Sequence, residues 1–134
     1  FFFVLKLGDG NACLLTRDFR PVLLDKLFLQ LKDSDLQFNT TTSLCNSDAD
    51  MAFRHCYSAL NDKYDVQGLL LTTDGVINSY RREEAYLGFV ENIFSGYREQ
   101  VRKDAHAELA EFLPRLSEKG SGDDLSVAVI CRKK

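Results

Sequence analysis

Leu69-Leu70-Leu71-Thr72-Thr73-Asp74-Gly75-Val76 is the stretch from which the fold is read. Residues 67–73 form a run rich in leucine and threonine, as expected of a buried strand, and the run ends directly in an aspartate followed by glycine. A strand that stops in this way presents a carboxylate at the edge of its sheet. Downstream, Ser79 is the expected N-cap of a helix on which Tyr86, Phe89, Val90, Ile93 and Phe94 repeat at i, i+3, i+4, i+7 and i+8, with Gly96 marking a break near its end. A second helix is expected from about Asp104, with Ala105, Leu109, Phe112, Leu113 and Leu116 on one face. Pro114 should kink or end its last turn, and Gly120 should stop it. Gly120-Ser121-Gly122-Asp123-Asp124 then reads as a turn, and residues 125–131 alternate as a closing strand.

Upstream, Phe1-Phe2-Phe3-Val4-Leu5 reads as a buried strand, Gly8-Asp9-Gly10-Asn11 supplies turn chemistry, and residues 12–16 return as a second strand, so a hairpin is expected. Residues 22–31 place Leu24, Leu27, Phe28 and Leu31 at helical spacing, but Leu23 and Leu29 blur the pattern, and the type of this segment stays open. Residues 33–50 are polar and turn-rich, as in a surface loop with at most a short strand. In residues 51–57, Met51, Phe53, His55 and Tyr57 alternate as on a strand, which is favoured, although Phe53, Cys56, Tyr57 and Leu60 also fit a helix. Strands, two helices and a closing strand suit an antiparallel α+β layer better than an alternating parallel sheet.

At 134 residues the chain is one domain's worth or less. Its 45% apolar and 28% charged residues are ordinary for a globular domain, which excludes collagen-like, coiled-coil and disordered classes. Seventeen Lys and Arg against twenty Asp and Glu give a net charge of −3 without a cationic block, so nucleic acid is not the expected partner. Cys13, Cys45, Cys56 and Cys131 lie far apart with no Cys-x-x-Cys pair, the pattern of reduced thiols in a cytoplasmic protein rather than of a zinc site or disulfide framework. The apolar start is too short for a signal peptide or a membrane span, so no membrane partner is expected. Because the first residue is not Met and lies inside an apolar run, the sequence reads as a piece of a longer chain.

Three aspartates stand beside glycine at strand ends: Asp9, Asp74 and Asp123. Carboxylates so placed, with glycine letting the backbone bend away, gather hard oxygen ligands for Mg²⁺ or Mn²⁺, and the three could share one site. Each is also, taken alone, an ordinary turn aspartate satisfying local backbone donors. His55 and His106 have no second His or Cys at ligand spacing and read as structural or surface residues. Arg81-Arg82, next to Glu83-Glu84, read as a solvated helix start.

The wording around the aspartates resembles the metal-dependent serine/threonine phosphatases of type 2C (PPM). Residues 69–76 resemble that family's strand-plus-Asp-Gly motif, and Ser121 with Asp123-Asp124-Leu125-Ser126-Val127 resembles its closing motif. Gly8-Asp9-Gly10 is similar to its earlier Gly-Asp-Ser turn, with Gly10 for Ser as in some bacterial members. The likeness covers about residues 1–16 and 68–131. It implies an antiparallel β-sandwich flanked by helices, of which residues 1–134 are the C-terminal part, half of the sandwich with two helices on one outer face. It also implies a site holding two or more Mn²⁺ or Mg²⁺ ions. By resemblance, Asp74 and Asp123 are ligands of the paired metals and act catalytically through metal-bound water, Asp9 belongs to a weaker metal position, and Gly75 lies near the site. The implied reaction is attack of activated water on a phosphoserine or phosphothreonine of a phosphoprotein substrate.

The chain departs from the family in two ways. Asn78 stands where many members carry an Asp, and the N-terminal Asp-Gly motif and the phosphate-gripping Arg would precede residue 1. The fragment alone is therefore expected to be inactive, with the missing N-terminal half or a second chain as its partner. The alternative is a phosphatase-like binding or regulatory module without catalysis. A calcium loop is excluded, since neither Asp9-Gly10-Asn11 nor Asp48-Ala49-Asp50 fits the twelve-residue pattern, and no Gly-rich loop opens a helix as in nucleotide-binding folds.

Overall fold

The computed structural model describes residues 2–24, 44–58, 65–99 and 102–132. Among the described residues six strands, β1 (Phe2–Lys6), β2 (Asn11–Leu15), β3 (Pro21–Leu23), β4 (Arg54–Ser58), β5 (Gly68–Thr72) and β6 (Val127–Cys131), form two antiparallel sheets. One is a ribbon of β1 and β4; the other has the order β3-β2-β5-β6. Three helices, α1 (Asp74–Asn78), α2 (Glu83–Glu99) and α3 (Arg102–Lys119), lie between β5 and β6 in sequence. The fold is thus α+β with antiparallel sheets, as the sequence implied.

The four-stranded sheet is covered by the helices on one face. Cys13, Leu15, Leu23 and Leu70 point to that side and meet Val76, Tyr86, Phe89, Val90, Ile93 and Phe94, the stripe expected on α2. Burying each large side chain of this set contributes roughly 1.5–3 kcal/mol. Helix α3 rests on α2, with the Phe89 and Phe112 rings stacked 5.7 Å apart. On the opposite face, Ala12, Leu14 and Leu24 meet Val4 of the ribbon together with Val66 and Leu69. Strand β2 is therefore buried on both faces, which is why all of its residues from Ala12 to Leu15 are apolar.

Several expectations are corrected. Residues 2–15 are not a hairpin: β1 pairs with β4, from Phe2↔Ser58 to Lys6↔Arg54, while β2 pairs with β3 and β5. Gly8, at φ 87°, turns the chain from one sheet to the other. Turn chemistry marks a change of direction without naming the strand's partner. The apolar start is a strand but not a buried one, since Phe3 and Leu5 are 57% and 55% exposed. Strand β5 is covered on one face only over part of its length, with Leu71 43% exposed.

Ser79 does not begin the long helix. It closes α1, donating its backbone N–H to the Gly75 and Val76 carbonyls, and α2 starts at Glu83. Gly96 breaks nothing: α2 continues to Glu99, and a Cβ at Gly96 would meet no atom within 4 Å. Pro114 likewise lies inside α3, which runs on to Lys119. There Gly120 and Gly122 donate to the Ser117 carbonyl and close the helix, as expected of Gly120. Residues 22–31 begin as a strand that ends at Leu23, and the part beyond residue 24 lies outside the described residues. Residues 44–48 are turns, as expected of a loop, while residues 33–43 lie outside the described set. Residues 51–57 are split between a 3-10 turn, Ala49–Ala52, and β4, which agrees with the favoured strand. Strand β6 alternates inward Val127, Val129 and Cys131 with outward Ala128 and Ile130, as its sequence pattern requires.

Candidate metal centre

The register of the four-stranded sheet brings the three aspartate-bearing turns to one end. Asn11 pairs with Thr72, and Thr72 with Val127, so the turn before β2, the end of β5 and the approach to β6 are neighbours. A Cβ on Gly10 would come within 2.9 Å of the Thr72 carbonyl oxygen, so only glycine lets the Asp9 turn lie this close to β5.

Asp74 opens α1. Its Oδ1 accepts the Gly75 N–H at 2.9 Å and its Oδ2 accepts the Asn78 side-chain amide at 3.4 Å. The carboxylate is thus held by its own turn. Asn78 faces Asp74 as a donor, where an aspartate would add a second negative charge.

Asp123 reaches the same place from the loop between α3 and β6. A Cβ on Gly75 would stand 2.9 Å from Asp123 Cβ and 2.9 Å from Leu125 Cδ2. The glycine of the Asp-Gly pair is therefore what lets Asp123 pack against that pair. The Asp123 N–H donates to Ser121 Oγ at 3.3 Å, and its carbonyl accepts Ser117 Oγ at 2.7 Å. On the other flank, Thr73 Oγ1 donates to the Asp124 carbonyl at 3.2 Å and accepts the Ser126 N–H at 3.0 Å, while the Thr73 N–H donates to the Ser126 carbonyl. Hydroxyls thus bind the two acidic segments to each other on both sides.

The Gly75 carbonyl accepts the Ser79 N–H at 3.1 Å, Ser79 Oγ at 2.8 Å and Ser121 Oγ at 3.0 Å. That oxygen is taken up within the protein. Below the site, Tyr86 is fully buried, with its hydroxyl 3.2 Å from Thr72 Oγ1 and accepting a contact from Cys13 Sγ at 3.6 Å. Burial pushes the Tyr86 phenol far above its usual range, and the neighbouring Tyr80 up to about 12 for the same reason. Both are neutral around the site.

Asp123 is brought against Gly75, the residue after Asp74, and Asp9 lies in a turn at the same end of the sheet. Among the described residues no group of three His, Cys, Asp or Glu side chains is close enough to hold a metal ion. His55 stacks on Phe3 at 6.5 Å and His106 is exposed on α3. Arg81 and Arg82 are exposed ahead of α2, as their charged context suggested. Sequence reasoning missed Thr73, Ser79 and Ser121 as connectors. The signal available was the four-residue spacing from Gly75 to Ser79, which suits a hydroxyl bonding back to a helical carbonyl.

The sequence profile of the family described as Protein phosphatase 2C matches residues 1–114. The match takes in Asp9 and Asp74 and ends before Asp123, which the structure places against Gly75. No curated protein and no solved structure matches this chain.

Proposed function

The chain belongs to the protein phosphatase 2C family, and from that premise we propose that it forms the C-terminal part of a metal-dependent domain that hydrolyses phosphoserine and phosphothreonine in proteins. The observation that carries this reading is the convergence of the Asp74 and Asp123 segments, made possible by the missing side chain at Gly75. Two carboxylates are a sufficient protein contribution for Mg²⁺ or Mn²⁺, which prefer hard oxygen donors and retain several waters. The residues present therefore fit such an ion.

When bound, the ions would supply Lewis acidity that activates water and neutralises charge on the phosphoryl oxygens. Asp74 and Asp123 hold them. The Gly75 N–H fixes Asp74 Oδ1, and Ser117 and Ser121 fix the backbone of Asp123. Asp9, at the same sheet end, serves a further and weaker position. Gly75 serves by its small size, since its carbonyl is already engaged. The other ligands come from water and from protein outside residues 1–134, either the N-terminal half of the domain or a second chain, so the chain alone is inactive. Among the described residues no helix is long and apolar enough to cross a membrane. The wide spacing of the four cysteines, without a Cys-x-x-Cys pair, supports a reducing compartment such as the cytoplasm.

One observation favours a non-catalytic binding module instead: the Asn78 amide on Asp74 Oδ2. The two readings separate in one assay of phosphopeptide hydrolysis against Mn²⁺ concentration, run on the full-length protein. The phosphatase reading expects turnover that requires Mn²⁺ and falls at least about 100-fold in Asp74→Ala, the scale of losing a metal's share of transition-state stabilisation. Absence of turnover in the parent at every Mn²⁺ concentration supports the binding module.

A further inference from the structure

Two serine hydroxyls tie both acidic segments to one carbonyl. Ser121 Oγ donates to the Gly75 carbonyl and accepts the Asp123 N–H, so a single hydroxyl spans from the peptide after Asp74 to the peptide nitrogen of Asp123. Ser79 Oγ reaches the same carbonyl, lies 3.1 Å from Ser121 Oγ and accepts the Ser121 N–H at 3.2 Å. Each hydroxyl has one proton and two acceptor lone pairs. The two protons are therefore shared among three oxygen contacts, while backbone N–H groups occupy a lone pair on each serine. An arrangement that leaves every group satisfied directs Ser121 Oγ–H at the Gly75 carbonyl and divides Ser79 Oγ–H between that carbonyl and Ser121 Oγ. The approach is close: a Cβ on Gly120 would stand 2.6 Å from Ser79 Oγ.

We propose that Ser121, braced by Ser79, is a positioning residue that sets the separation of Asp74 and Asp123 for a divalent cation. The inference rests on the reading of those aspartates as ligands. Neither serine touches the ion or the substrate; both act through the backbone that carries the ligands. The effect matters because Mg²⁺ demands near-ideal octahedral geometry and Mn²⁺ shares its oxygen preference, so a shift of a fraction of an ångström between two carboxylates is felt as affinity.

The test uses the full-length protein, Mn²⁺ titration read from the electron paramagnetic resonance of free Mn²⁺, and metal-free thermal melting in parallel. Removing an outer hydrogen bond of this kind costs about 10- to 100-fold in metal affinity, so Ser121→Ala is expected to bind Mn²⁺ about tenfold more weakly. Ser121→Thr keeps the hydroxyl and is expected to stay within about twofold of the parent. Ser79→Ala, with Ser121 still bridging, is expected to lose less than the roughly tenfold of Ser121→Ala, and it carries the test should Ser121→Ala fail to fold. Folded alanine variants that bind like the parent, or a Ser121→Thr variant no better than alanine, overturn the proposal. A parent whose affinity responds to Asp74→Asn but not to Ser121→Ala overturns the positioning role alone. A parent indifferent to Asp74→Asn overturns the metal site, and this inference with it.

Discussion

The two sheets share a chain and an antiparallel pattern but differ in what covers them. The four-stranded sheet has helices on one face and places Cys13, Leu15, Leu70, Tyr86, Val90 and Phe94 in a continuous core. The ribbon of β1 and β4 contributes Val4 to the other face and turns Phe3 and Leu5 outward, both more than half exposed. The acidic turns lie at the end of the first sheet, where β2, β5 and β6 are hydrogen-bonded side by side. The more fully covered sheet is therefore the one whose end carries the acidic turns, where the proposed function needs two carboxylates at a fixed spacing.

The largest contrast is expected from core truncation. Phe94→Ala removes a ring that is almost wholly buried and should destabilise by about 3–5 kcal/mol in urea unfolding. A loss below about 1 kcal/mol would mean that the helices do not anchor this sheet. Next comes Gly68→Val, because a Cβ at residue 68 would lie 2.6 Å from Phe94 Cε1 and 3.1 Å from the Ile130 carbonyl oxygen. Overpacking of that kind should cost about 1–3 kcal/mol by the same measurement.

Tyr86→Phe leaves Thr72 Oγ1 without its buried partner and should cost about 1 kcal/mol. The same region predicts an alkaline weakness. Tyr80 is raised by burial from its ordinary 10 to about 12, and Tyr86 is raised further, so the folded state keeps protons that the unfolded state releases. Their contribution is complete below pH 10 and is lost as pH rises from there toward the folded values. Urea midpoints should therefore fall between about pH 9 and about pH 11, and the fall should shrink in the double variant Tyr80→Phe with Tyr86→Phe. The smallest effect belongs to the ribbon: Phe3→Ser and Leu5→Ser should change stability by no more than about 0.5 kcal/mol, since each side chain already faces outward. A larger loss would show that the ribbon's outer face is covered in solution.

The division between the sheets was only partly legible in the sequence. The α2 stripe and the β6 alternation were readable because period and burial coincide there. The pairing of β1 was not, because Gly8-Asp9-Gly10-Asn11 has the composition of a hairpin turn while long-range pairing decides which sheet each strand joins. Ser79 looks like a helix start in the sequence, since Ser caps a new helix as readily as it ends a short one, and only the bond to the Gly75 carbonyl distinguishes the two. Asp74 and Asp123 were legible as candidates through their glycine neighbours and the family wording. Their approach through Gly75 was not, because it depends on packing between segments about fifty residues apart, and no local pattern encodes it.

The most direct test of the shared centre is a double-mutant cycle on Mn²⁺ affinity in the full-length protein, using Asp74→Asn, Asp123→Asn and the pair, followed by calorimetric titration. Two ligands of one centre are strongly coupled, so each single variant should lose most of the affinity and the double variant little more than either alone. Losses that add independently, or an Asp123→Asn variant that binds like the parent, would contradict the account.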